Sequence, residues 1–242
     1  MEHLRPETLL FVCARASHAK TPQEAFEGDL SIARAVARAI ETRPVSKLVY
    51  FSSIAVYGDA ASDFAVTEQT RLDPTNLYGA AKEAAEHLLT IAAAKGKTPL
   101  LLLRPGMVYG PQDRSTAYGP ARLIRQALDG EVRLFGDGSE VRDNLYVDDL
   151  AEAAVALSLG ARTGIFNLAS GEPRSFRDIV SELERLKGSP VRVVEAARDR
   201  PKTDQRLDLA KLRTVLPYWR PIPLSEGLAR AWRAAYQERS HA

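Results

Sequence analysis

The feature that most constrains this chain is the alternation of its first hundred residues. Thr8–Ala14 (TLLFVCA) is a short, almost continuous apolar run, the pattern of a strand buried on both faces. From Pro22 to Thr42, the apolar residues Phe26, Leu30, Ile32, Ala33, Val36 and Ile40 recur at roughly helical spacing. Lys47–Ser52 reads as the next strand. A helix is predicted from Pro74 to Ala94, with Pro74 in its first turn and Gly96 as its stop. Pro99–Leu103 is a further buried strand. Strand, helix, strand, helix, strand implies a parallel sheet joined by crossover helices.

That arrangement is an α/β, Rossmann-like sheet, and it occupies residues 1–111. After Gly110-Pro111 the rhythm loosens. Helices are predicted at Pro120–Leu128, Val147–Leu159, Ser175–Leu186 and Leu224–Tyr236. Short strands are predicted at Val132–Phe135, Val141–Tyr146, Gly164–Leu168 and Pro190–Val194. Residues 112–242 therefore read mainly as a small lobe over the C-terminal edge of the sheet, with some elements returning to the sheet.

Composition removes several classes of function. The net charge is +2 and the basic residues form no run of five or more, so nucleic acid is not an expected partner. The one cysteine, Cys13, permits no disulfide within the chain, and a cytoplasmic location fits. Cys13 sits in the first apolar run and reads as a small core residue. The run Leu9–Ala14 is far too short to span a membrane, and Glu2, Arg5 and Glu7 break up any signal-peptide layout. The histidines, His3, His18, His87 and His241, show no metal-ligand spacing, so no metal is expected.

Tyr78 and Lys82 are four apart on a predicted helix and so share a face. An ammonium beside a phenol is expected to pull the phenol pKa down from about 10. A phenol so tuned can act as general acid and base on a substrate hydroxyl. Ser53 ends the Lys47–Ser52 strand, where parallel sheets place their ligands, and can hold the same oxygen. Tyr-x-x-x-Lys alone is a weak signal. Its weight comes from each residue falling on the element that the chemistry requires.

The ordered segments FSSIAVYGD…LDPTNLYGAAKEAAEHL, LLLRPGMVYGP, LFGDGSEVRDNLYVDDLAEA and FNLASGEPRSF resemble the extended short-chain dehydrogenase/reductases. Within these, the likeness is to the NAD-dependent epimerase/dehydratase group acting on nucleotide sugars, from about Leu9 to Trp232. The resemblance implies Ser53, Tyr78 and Lys82 as catalytic residues. It implies NAD or NADP as cofactor, contacted by Ala14, Tyr78, Lys82, Pro105 and Val108. It implies a nucleotide-sugar substrate contacted by Ser53, Met107, Phe135, Arg142 and Arg200. Guanidinium groups bind phosphate oxygens bidentately, which suits the two arginines. The structural alternative for Arg142 is an ion pair with Asp143 or Asp148. Relatives pair through the helix carrying Tyr78 and the one before it, so a homodimer is expected.

The chain also departs from the family pattern. The Gly-x-x-Gly-x-x-Gly turn that brings the backbone to a dinucleotide pyrophosphate is absent. The first glycine is Gly28, within a predicted helix, and Gly136 and Gly138 belong to a substrate-side loop. Aligned by motif, the chain starts at the family's fourth strand, on the order of 60 residues in. The first strand is then expected to form an exposed apolar edge. A truncated or mis-assigned start, a natural short form that pairs its edge with another chain, and a non-catalytic remnant all fit. Asp29 stands where relatives carry an asparagine, and so does Met107. Ile54 and Ala55 replace the Asp–Glu pair of the 4,6-dehydratases, which removes the acid and base that elimination needs. The expected function is an NAD(P)-dependent epimerase or dehydrogenase/reductase acting on a nucleotide sugar or related alcohol. The alternative is a binding or scaffold protein that pairs through its sheet edge.

Overall fold

A computed structural model describes residues 4–16, 18–59, 65–113, 118–198 and 200–240. Its first half is β1 (Leu9–Val12), α1 (Pro22–Thr42), β2 (Lys47–Phe51), a 3-10 turn (Ile54–Tyr57), α2 (Leu77–Gly96) and β3 (Leu100–Pro105). β4 (Met107–Tyr109), α3 (Gly119–Asp129), β5 (Glu131–Phe135), β6 (Val141–Arg142) and β7 (Asn144–Tyr146) follow. α4 (Val147–Ser158), β8 (Gly164–Leu168), β9 (Arg174–Ser175), α5 (Phe176–Lys187), β10 (Arg192–Ala196), α6 (Ala210–Val215) and α7 (Leu224–Ser240) complete the chain.

The main sheet is parallel throughout, in the order β1-β2-β3-β8. β2 and β3 are covered on both faces, which is why they read as unbroken apolar runs. One face packs Leu48, Tyr50 and Leu102 against Val36 and Ile40 of α1 and Leu89 of α2. The other packs Val49, Leu101 and Leu103 against Leu157 of α4 and Leu212 of α6. Thr21 caps α1, its hydroxyl accepting from the Glu24 N–H at 3.1 Å. β8 and α4 lie beyond residue 112 and pack in the layers of the main sheet. A separate core gathers Leu123 and Ile124 (α3), Leu134 (β5), Leu183 (α5), and Leu228 and Trp232 (α7).

Several sequence expectations need correction. β1 is not buried on both faces: Leu10 and Val12 join the core shared with α1 and α2, while Leu9 and Phe11, on the opposite face, are 39% and 37% exposed. Cys13 lies past the end of β1 and is exposed, so it is not a core residue. Pro74 does not enter the first turn of α2; Asn76 is the cap. Gly96 is the last helical residue, and Lys97 takes the left-handed stop position at φ 53°. Val141–Tyr146 is two strands. Val141–Arg142 pairs antiparallel with β9, while Asn144–Tyr146 pairs parallel with β4. His3 and His241 lie outside the described residues. Among those described, no group of three or more His, Cys, Asp or Glu side chains could hold a metal, and no helix is long and apolar enough to cross a membrane.

Candidate active site

Because the strands are parallel, their C-terminal ends share one edge of the sheet. Ser53 follows β2 there. Its hydroxyl accepts from the Ala55 N–H at 3.1 Å and so caps the 3-10 turn. α2 docks its first turn directly on this turn. The Asn76 carboxamide accepts from the Gly79 N–H at 2.9 Å. A Cβ at Gly79 would stand 2.4 Å from the Ala55 carbonyl oxygen, so only glycine permits the approach. That approach sets Tyr78 beside Ser53. Lys82 follows one turn later, buried, its Nζ donating to the Phe51 carbonyl at 2.9 Å. Lys82 Nζ lies 5.0 Å from the Tyr50 ring centroid and 5.9 Å from that of Tyr78.

Ser53 and Tyr78 open onto a cleft of about 430 Å³. Pro105, Met107, Val108 and Arg142 also line it, so most of the sequence-predicted residues converge. Ala14, Lys82, Phe135 and Arg200 are not part of its wall. Phe135 is 50% exposed at the end of β5, with the Arg122 guanidinium 5.7 Å from its ring centroid. Arg142 is buried, with Glu140 and the Thr203 carbonyl as partners; the ion pair forms with Glu140 and not with Asp143. Asp143 instead accepts from Ser170 and Gly171. Arg200 shares Glu140 at 2.8 Å and lies 4.0 Å from Asp59, which does line the cleft.

The electrostatics differ from the expectation that Lys82 pulls the Tyr78 phenol down. Burial pushes the Tyr78 pKa above its ordinary value, against the Ser53 hydroxyl and the Arg15 guanidinium, which pull the other way. Burial also pushes the Lys82 ammonium down, with Asp29 opposing. The Lys82 ammonium hydrogen-bonds the Phe51 carbonyl and not the phenol, and burial is the largest influence on Tyr78. Asp29 is itself buried and accepts from the Ala16 N–H at 2.7 Å, which ties the loop after β1 to α1.

Beneath the cleft lies a second tyrosine network. Arg104 forks onto Glu86 at 2.9 and 2.5 Å and donates to the Tyr57 hydroxyl at 2.9 Å. Tyr57 in turn donates to Asn167 at 2.7 Å.

Sequence reasoning missed Arg15, Asn76, Tyr118 and Gln205 as cleft residues. Asn76 was findable, since Asn just before a helical run is an N-cap signal. The others carry no local signal, because the chain fold alone brings them to the cleft.

The nicotinamide-ribose end of a dinucleotide fits what is present. The Lys82 ammonium has three donors, and among the described residues the Phe51 carbonyl is its one hydrogen-bond acceptor. Pro105 and Val108 supply apolar wall. For the pyrophosphate end, these 242 residues hold no glycine-rich turn.

The parallel sheet, with Ser53, Tyr78 and Lys82 at its C-terminal edge, defines a Rossmann-like α/β protein. The model of the NAD dependent epimerase/dehydratase family matches residues 8–169, and the chain belongs to that family. It is 28% identical over 242 residues to the UDP-glucose 4-epimerase of Mycolicibacterium smegmatis, covering 95% of this chain and 76% of that one. It is 32% identical over 181 residues to a trifunctional UDP-glucose 4,6-dehydratase/UDP-4-keto-6-deoxy-D-glucose 3,5-epimerase/UDP-4-keto-L-rhamnose-reductase of Arabidopsis thaliana, covering 72% of this chain. The match spans 27% of that plant enzyme's length. Among solved structures, the UDP-glucuronic acid 4-epimerase from Bacillus cereus, in complex with UDP-glucuronic acid and NAD, superposes with a TM-score of 0.82 at 28% identity. That match covers 93% of this chain and 72% of the other.

Proposed function

We propose that this chain serves an NAD- or NADP-dependent epimerase or dehydrogenase acting on a nucleotide sugar, with Tyr78 as general acid and base. One observation carries the reading: Ser53 and Tyr78 share the wall of a single cleft, with Lys82 buried one turn behind them. The Bacillus cereus relative and MoeE5, both solved with a UDP-sugar and NAD, support the substrate class.

The roles follow from the contacts. The Ser53 oxygen accepts from the Ala55 N–H, and its hydroxyl proton, which meets the Tyr78 phenol, would turn to hold the substrate oxygen. Tyr78 takes the proton from that oxygen and later returns it. Lys82 has two donors left for the nicotinamide ribose. When bound, the cofactor supplies hydride acceptance and return at the carbinol carbon. Ile54 and Ala55 offer neither acid nor base, so elimination is not the proposed outcome. Arg142 and Arg200 are the proposed diphosphate ligands, with Phe135 against the base. Both arginines now rest on Glu140, so a diphosphate would exchange with that carboxylate. Residues 1–111 form the proposed catalytic and cofactor half, and 112–242 mainly the substrate half. Pairing of two copies through α1 and α2, in the cytoplasm, completes the reading.

A second reading has its own observation. The outer edge of β1 is unpaired among the described residues, with Leu9 and Phe11 exposed. A binding or scaffold protein would use that edge to recruit a strand. Cofactor binding separates the two. The chain is incubated with NAD and a UDP-sugar deuterated at C4, and products are resolved by NMR. The enzyme reading expects the C4 epimer with deuterium retained or, for one-way oxidation, a C4 ketone with the deuterium on the reduced cofactor, because the hydride passes only between sugar and cofactor. Loss of label to solvent contradicts it. A folded chain that binds neither NADH nor NADPH by fluorescence favours the scaffold.

A further inference from the structure

The charges of the cleft are unevenly matched. Arg142 is paired with Glu140. Asp59 accepts from the Thr75 hydroxyl at 2.9 Å and lies 4.0 Å from Arg200. Arg15 also lines the cleft, and among the described residues no carboxylate pairs with it. Its guanidinium instead lies 4.8 Å from the centroid of the Tyr78 ring. That ring offers a cation–π contact but no charge.

The placement of Arg15 is built. Asp29 holds the next residue, Ala16, through its N–H at 2.7 Å. A Cβ at Gly28 would stand 2.5 Å from Ala16 Cβ, so α1 presses the loop after β1 at close range. Arg15 is thereby kept between the main cleft and a smaller cavity of about 270 Å³ that it shares with Tyr78 and Asp29. A planar guanidinium with free donors, beside the group that would receive the substrate proton, suits a bidentate carboxylate.

We infer that Arg15 is a specificity-determining residue that binds a carboxylate on the carbon next to the oxidised carbinol, making the preferred substrate a nucleotide uronic acid and not a neutral nucleotide hexose. This rests on the nucleotide-sugar reading above. Covalent geometry places such a carboxylate within a few ångströms of the carbinol oxygen held by Ser53 and Tyr78. A neutral hexose offers a hydroxymethyl group there, which forms no ion pair with Arg15.

The test is calorimetric titration of UDP-glucuronic acid and UDP-glucose against the 242-residue chain, its Arg15→Gln variant and its Arg15→Lys variant. The expected result is that the wild type binds UDP-glucuronic acid roughly 10-fold to 100-fold more tightly than UDP-glucose, the size of a charge-assisted hydrogen bond. Arg15→Gln should erase that preference. Arg15→Lys should keep part of it, since the charge stays and the fork is lost. Equal wild-type affinities, or a preference that survives Arg15→Gln, overturns the inference. Equal weakening of both ligands by Arg15→Gln also overturns it, because Arg15 would then be holding the shared diphosphate. If the wild type binds neither ligand, the nucleotide-sugar reading itself fails.

Discussion

Tyr57 and Tyr78 each sit beside a buried cation, and they are wired differently. Tyr57 is closed. Arg104 donates to its hydroxyl, the hydroxyl donates to Asn167, and Arg104 is forked onto Glu86. Tyr78 is open. Its neighbour Lys82 turns to the Phe51 carbonyl, and the phenol faces a cleft with Ser53 beside it. Burial pushes the pKa of both tyrosines up, so pKa direction alone does not separate them. The difference lies in where the hydrogen bonds go: Tyr57 has spent its hydroxyl on buried groups of the fold, and Tyr78 meets the Ser53 hydroxyl at an open cleft.

The comparison can be broken first at the closed network. Glu86→Gln leaves the Arg104 charge buried with its carboxylate gone. Loss of one partner of a buried ion pair costs about 3–5 kcal/mol, read as a lower urea midpoint. A cost below 1 kcal/mol, within the surface-pair range, would mean the network is not the anchor described. Tyr57→Phe is the milder cut. It strands an Asn167 oxygen and an Arg104 donor, and about 1–3 kcal/mol of stability should go with it. Tyr78→Phe gives up a contact with the Ser53 hydroxyl at a cleft open to water, and should stay within about 1 kcal/mol of wild type in the same experiment.

The smallest expected effect is on alkaline stability. Burial raises the folded-state pKa of Tyr50, Tyr57, Tyr78 and Tyr109. These tyrosines ionise more readily unfolded, so their contribution is complete below pH about 10 and declines as pH rises through the folded values. Lys47 and Lys82 are shifted down, and work in the opposite direction only below pH about 10.5. Melting temperature should therefore fall above pH about 10.5, where the lysine contribution has ended and that of the tyrosines is still changing. A flat profile there would show that these phenols are less desolvated than their burial implies.

Much of the fold was legible because its signals are local. The apolar runs of β2 and β3 and the helical spacing of α1 follow directly from burial on a two-sided sheet. Helix and strand ends were less legible. Asn76 outcompetes Pro74 as the start of α2 because its side chain satisfies a free N–H, and Pro74 has no such group to offer. β1 was misread as doubly buried because an apolar run looks the same at an edge as in the middle of a sheet. At the site, Ser53 and Tyr78 could be placed on one cleft because each lies near the end of a recognisable element, while Met107 came from the family resemblance alone. Arg15 could not. Its position depends on Asp29 and Gly28 pressing a loop that has no sequence pattern of its own. The direction of Lys82 was also hidden, since helix spacing fixes which face it occupies but not which acceptor it finds.

The contrast between the open and closed tyrosines is tested most directly by measuring turnover of UDP-glucuronic acid with NAD by Tyr78→Phe and Tyr57→Phe side by side, under conditions where both are folded. Tyr78→Phe should lose about 10²–10⁴-fold in rate, the range for removing a general acid and base, while Tyr57→Phe stays within about 10-fold of wild type. Wild-type turnover by Tyr78→Phe, or a greater loss in Tyr57→Phe, would contradict it.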